Sequence, residues 1–174
     1  WGAPVADPQH ARHAVAAALE IQAMLATLNP QLEQQGWPPI AVGIGIHSGV
    51  ASVGDMGSKY RMSYTAMGDT VNLASRIESL TKMYGVAILV SEATRLAAPE
   101  FAYIEIDRVR VLGKQQAVTL FAPVLDTDRE KIAAMQQFLV MYRSQDFDSA
   151  VLQLDTIDNT VLRNLYAKRI AQFR

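Results

Sequence analysis

Apolar residues recur along this chain at two periods, and the switches between them mark out its elements. In residues 10–28, Ala14, Ala18, Ile21, Leu25 and Leu28 fall on one helical face, and the small residues among them let the helix pack close to a sheet. Asn29-Pro30 and Gly36-Trp37-Pro38-Pro39 punctuate the connection that follows. Residues 40–46 and 50–53 read as two strands joined tightly at His47-Ser48-Gly49, and 54–60 as a polar, glycine-containing loop. After a short strand near Tyr64 and a turn at Gly68, the residues Leu73, Ile77, Leu80 and Tyr84 repeat at helical spacing. They predict an amphipathic helix from about Gly68 to Met83.

Residues 86–90 form an apolar strand, and Ser91 is placed to cap a short helix ending near Ala97, with Pro99 just beyond. Residues 101–112 alternate, but Ile104 and Ile106 share one parity while Val109 and Val111 share the other. A bulge or break near Asp107 is therefore expected. Residues 113–116 make a turn before a last strand at 117–124.

From Asp126 onward the composition shifts to helix formers without Gly or Pro. Ile132, Met135 and Leu139 make one stripe, Phe147, Ala150, Val151 and Leu154 a second, and Leu162, Leu165, Ile170 and Phe173 a third. Short helices do not bury such stripes alone, so packing on their own chain is expected, with a partner as the alternative.

Composition narrows the class. The chain has 174 residues, half of them hydrophobic, with no cysteine and a formal charge of -1. A packed core is feasible, a disulfide framework is excluded, and there is no electrostatic case for a nucleic-acid partner. No secretory signal is visible and no apolar run is long enough to span a bilayer, so a cytoplasmic location is expected, with membrane anchoring of a longer parent through an upstream region as the alternative.

Candidate chemistry concentrates at Asn72 and Arg76. Four residues apart near a helix start, they share a face distinct from the apolar stripe. A neutral amide and a fixed cation there suit an anionic, hydrogen-bonding ligand, although an isolated pair of this kind is more often simply solvated. Gly43-x-Gly45 lacks the third glycine and the context of a dinucleotide fingerprint; two glycines in an apolar strand instead permit close approach of a helix or strand. His47 has no second ligand at metal spacing and reads as structural.

The surrounding sequence supplies context. Val42-Gly43-Ile44-Gly45-Ile46-His47-Ser48-Gly49, then Tyr64-Thr65-x-x-Gly68-Asp69-x-Val71-Asn72-x-Ala74-Ser75-Arg76, closely resembles the second half of a class III adenylate/guanylate cyclase catalytic domain. The opening Trp1-Gly2-Ala3-Pro4 and the run from His10 to Leu19 resemble the preceding piece of that family. The resemblance implies an α/β fold (an α+β sandwich of the ferredoxin-like cyclase type) without its N-terminal part over residues 1–125. An α-helical extension over 126–174 would follow.

It also implies a function: ATP converted to cyclic AMP and pyrophosphate for intracellular signalling, by a dimer, with a degenerate nucleotide-binding or dimerisation module as the alternative. Asn72 would orient the ribose, Arg76 stabilise the transition state, Thr65 read the purine and Lys114 meet the phosphates. Where the family carries a first phosphate-binding lysine this chain has Leu112, so Lys114 or Arg110 would have to stand in. A hydroxyl reads the base less strictly than a carboxylate, but Thr65 resembles the residue that many bacterial adenylate cyclases carry here, which implies ATP over GTP. Two Mg²⁺ or Mn²⁺ ions, a homodimeric partner and an upstream sensory region complete the expectation. The metal carboxylates would lie upstream, since a chain opening on Trp without an initiator Met is expected to belong to something longer.

Overall fold

The computed structural model describes residues 1–58, 61–110, 117–124 and 128–173. Helix α1 (His10–Gln34) runs past the end expected near Leu28 and carries Pro30 inside it. A proline there costs the turn one backbone hydrogen bond without dictating where the helix stops. Asn29, expected to begin a turn, reaches outward instead. Its amide donates to the Ile40 carbonyl at 2.9 Å, and the Ile40 N–H donates to its Oδ1 at 2.8 Å. Gln22 Nε2 likewise donates to the Val42 carbonyl at 2.9 Å. Side chains of α1 thus take backbone groups a strand would have used, and β1 is only Ile44–Ile46 rather than the whole of 40–46.

The main sheet has four strands in the order β1-β4-β6-β5. Here β4 is Ile88–Ser91, β5 is Ala102–Val109 and β6 is Val118–Val124. Strands β1 and β4 run parallel, the other neighbours antiparallel. The expected hairpin through His47-Ser48-Gly49 is not formed. Strand β2 (Ser52–Ser58) pairs instead with β3 (Arg61–Met67) in a separate two-stranded sheet, from Ser52 opposite Met67 to Ser58 opposite Arg61. The reading of 54–60 as loop is corrected to strand as far as Ser58; Lys59 and Tyr60 lie outside the described residues. Cross-strand pairing outweighs the poor strand propensity of Gly54, Asp55 and Gly57.

Alternation along β4 sends neighbouring residues to opposite faces. Ile88 and Val90 meet Ala11, Val15 and Ala18 of α1, with Phe121 of β6. Leu89, Ile106 and Leu120 meet Leu73, Ile77 and Tyr84 of α2 (Asp69–Tyr84). Ser91 caps the short α3 (Glu92–Ala97), its hydroxyl accepting from the Thr94 N–H at 3.3 Å.

The extension closes the second face. Helices α4 (Arg129–Arg143), α5 (Phe147–Gln153) and α6 (Thr160–Phe173) bring Met135, Phe138, Leu139, Ala150, Leu162, Tyr166 and Ile170 into the same core as α2. Its stripes therefore pack on their own chain. The third stripe differs in detail: Tyr166 is buried where Phe173 was expected, and Phe173 is 68% exposed, stacked on Phe147 at 5.7 Å. Tyr166 instead meets Phe138 and Tyr142 edge-on at 4.8 and 4.9 Å.

The bulge expected near Asp107 is present as a register shift between Glu105 and Asp107. It turns two consecutive residues inward, Ile106 at 2% exposure and Asp107 at 6%. The Asp107 carboxylate is met from three elements. Tyr84 Oη donates to it at 2.7 Å, Arg169 Nη1 at 2.6 Å and the Arg108 N–H at 2.7 Å. Burial first, and the Asp107 charge second, push the Tyr84 hydroxyl well above its ordinary pKa.

Replacing Arg169 with Met would strip the buried carboxylate of its cation. About 3 kcal/mol of stability should be lost, on the scale of broken buried ion pairs. Urea denaturation measures it; a loss under about 1 kcal/mol would place the pair among exposed, weakly coupled ones.

Candidate active site

Helix α2 carries the candidate residues, and its start is set by Gly68, whose φ of 138° is costly for residues bearing a Cβ. The chain leaves β3, turns at Gly68 and enters the helix, where the Asn72 N–H donates to the Gly68 carbonyl at 3.2 Å. Asp69 stands in the first turn, a favourable place for negative charge near the positive end of the helix. Thr70 Oγ1 donates to the Val50 carbonyl at 2.7 Å, tying the loop after β1 to the helix N-terminus. Sequence reasoning missed that tie, because nothing about a threonine in a first turn names an acceptor twenty residues upstream.

Asn72 is exposed and Arg76 half-buried, while Leu73 and Ile77 on the other side are buried at 4% and 0%. The spacing argument thus correctly separated the two faces. Thr65 lies half-exposed on β3 opposite Gly54, so it and Asn72 stand on either side of the Gly68 turn. Lys114 and Leu112 fall outside the described residues. Arg110 is exposed directly after β5.

What places α2 is the absence of a side chain beneath it. A Cβ on Gly45 would lie 2.6 Å from the Ala74 carbonyl oxygen and 2.6 Å from the Glu78 Cα, and would strike the Glu78 backbone nitrogen. One on Gly43 would strike Thr81 Oγ1. The two glycines serve close approach of a helix, one of the two options their strand context left open.

His47 makes a hydrogen bond through Nδ1 with Ser91 Oγ at 2.7 Å, joining β1 to the cap of α3. Among the described residues no group of three or more His, Asp or Glu side chains is arranged to hold a metal. These residues do not by themselves fit a two-metal centre.

The match to known proteins follows the same residues. The family described as "Adenylate and Guanylate cyclase catalytic domain" matches residues 1–123. The chain belongs to that family. The cyclase-family catalytic domain here is 48% identical over 93 residues to adenylate cyclase 1 of Rhizobium meliloti (strain 1021), covering 53% of this chain and 14% of that protein. To the adenylate cyclase of Anabaena cylindrica it is 42% identical over 116 residues, 62% of this chain and 23% of that one. The chain thus spans under a quarter of the length of either relative.

Among solved structures, the guanylyl cyclase Cya2 superposes with a TM-score of 0.65 at 33% identity, covering 72% of this chain and 63% of that one. The adenylyl cyclase CyaB from P. aeruginosa superposes at 0.55 with 31% identity, covering 64% of this chain and 58% of that one. The mixed α and β architecture is that of these cyclases, with the helical extension added. Among the described residues no helix is long and apolar enough to cross a membrane.

Gly45→Ala tests how the cyclase helix is seated. The added methyl meets backbone, which cannot rotate away, so α2 must shift. About 1–3 kcal/mol should be lost, as for other overpacked interiors. Urea denaturation of the variant beside the parent measures it; a neutral or stabilising result would show that α2 stands farther from β1.

Proposed function

We propose that this domain cyclises ATP to 3′,5′-cyclic AMP, releasing pyrophosphate, as part of a homodimeric enzyme. The observation that carries the reading is the pair Asn72 and Arg76, one turn apart on the side of α2 away from Leu73 and Ile77, in a chain of the cyclase family. In the reaction the ribose 3′-oxygen bonds to the α-phosphorus, the bond from that phosphorus to the pyrophosphate oxygen breaks, and the 3′-hydroxyl proton departs. Asn72 can hold the ribose through its amide, which both donates and accepts. Arg76 offers a planar, permanently charged donor to the oxygens on which negative charge builds. Thr65, across the Gly68 turn, would present its hydroxyl to the purine, and Lys114 would meet the terminal phosphates.

Divalent Mg²⁺ or Mn²⁺ ions would supply charge neutralisation at the phosphates, held by carboxylates outside residues 1–174. A homodimer is favoured by the exposed apolar residues of the β2–β3 sheet, Val53, Met62, Tyr64 and Met67, which are 41–63% exposed. We take residues 1–125 as the catalytic-domain segment and 126–174 as its helical extension, in a cytoplasmic region governed by a sensory segment upstream.

Arg76→Ala should lower kcat by roughly 10²–10³-fold, the scale for lost oxyanion-type donors. In a homodimeric parent, mixing that variant with one lacking only the metal carboxylates should restore one good site per heterodimer. Equal mixing makes about half the dimers hybrid, so roughly a quarter of wild-type activity should return. If heterodimers demonstrably form and the mixture stays dead, Arg76 does not act across a shared interface.

Base choice is tested separately. The parent should give a higher kcat/KM with ATP than with GTP in parallel assays. The opposite order would reassign Thr65.

A further inference from the structure

Strands β4 and β6 pair at only two positions, Val90 with Phe121 and Ser91 with Leu120. Beyond them the strands part, and Pro123 has no N–H with which to continue the ladder. A cavity of about 410 Å³ opens in that gap, between α1, the parted strands and the extension. Its wall is branched and aliphatic, including Leu19, Ile88, Ile104, Val124, Ile157 and Leu162. The size lies within the range of small-molecule pockets, roughly 300–1,000 Å³.

The rim is polar, and most of its hydrogen-bonding capacity is already used. Asn159 Nδ2 donates to the Tyr84 and Gly85 carbonyls at 3.1 and 2.9 Å, and its Oδ1 accepts from the Leu162 N–H at 3.0 Å. Gln22 is held by the Val42 carbonyl and Thr156 by the Gln153 carbonyl. What remains is ionic. Lys131 Nζ sits 3.4 Å from Asp128 Oδ1 and 3.3 Å from Asp158 Oδ2, one cation shared by two carboxylates. Among the described residues that line the rim, two carboxylates thus stand against one cation above an aliphatic chamber.

We propose that this cavity binds a compact aliphatic molecule bearing one ammonium group, its chain among the branched side chains and its head at Asp128 and Asp158. The wall supplies apolar area that a chain removes from water. The surplus carboxylate selects a cationic head over an anionic one. The binding site lies at the C-terminal end of α2, away from Asn72 and Arg76, and does not depend on the cyclase reading.

n-Decylamine, decanol and decanoate, each below its micelle concentration, provide the test by isothermal titration calorimetry on the full chain. Decylamine should bind with one-to-one stoichiometry and more tightly than either of the others. Asp158→Asn should weaken it about three- to five-fold and Lys131→Gln strengthen it by a similar factor, as expected for a charge at an exposed rim. Ala122→Leu, which fills the chamber, should cut affinity roughly tenfold or more with the circular dichroism spectrum preserved. The two rim variants alter exposed side chains, so they decide the matter even if Ala122→Leu misfolds. Decanoate or decanol binding as tightly as the amine, no saturable amine binding, or amine binding indifferent to the rim variants would each overturn the proposal.

Discussion

Helix α2 rests on bare backbone. At Gly45 the strand offers no side chain, so the Ala74 carbonyl and the Glu78 backbone come down to a distance that a methyl would forbid. That seat fixes the height of the helix above the sheet, and Leu73 and Ile77, both buried, fix its rotation. Rotation in turn decides that Asn72 faces outward. A helix held by side-chain packing alone could slide or roll at modest cost, whereas one held against backbone has few alternatives, because interiors are dense and respond to small volume changes.

The far end of the same helix is held by polar means. Tyr84 is buried with its hydroxyl on Asp107, and Arg169 reaches that carboxylate from the extension. Asn159 bonds the last carbonyls of the turn, at Tyr84 and Gly85, while its other amide atom receives the Leu162 N–H at the start of α6. One side chain thus serves the end of one helix and the beginning of another. The positions of α2 and α6 are coupled by these hydrogen bonds as well as by the apolar core that both helices share. Polar coupling of this kind fixes relative placement more narrowly than apolar packing, since a half-satisfied buried network is costly.

Much of the fold around α2 is legible in the sequence because its signals are local. The stripe Leu73, Ile77 and Tyr84 needs only a 3.6-residue period, and the parity switch in residues 104–111 needs only a period of two. The Ser91 cap follows from one residue type at one position. What could not be read was set by distant partners. Residues 40–43 fail to form strand because Asn29 and Gln22 bond their backbone. Residues 54–58 become strand because 61–65 lie opposite them. Asp107 signalled a bulge, but its cation stands sixty-two residues later, and no pattern within the strand announces it.

The same reasoning bears on how the extension relates to the family domain. The family match ends at residue 123, yet the core does not. Tyr84, Ile106 and Leu120 share a continuous apolar cluster with Phe138, Leu139, Tyr166 and Ile170. Tyr166 Oη also donates to the Ile106 carbonyl at 2.8 Å, at the bulge itself. Without α4 and α6 that face of the sheet would meet water, and the Asp107 carboxylate would lose its guanidinium while keeping its bulge. Hydrating a charge that the strand already points inward requires undoing the bulge or opening the end of α2. The extension is therefore part of what holds α2 in place, and the helix bearing Asn72 and Arg76 is braced by residues beyond the matched segment.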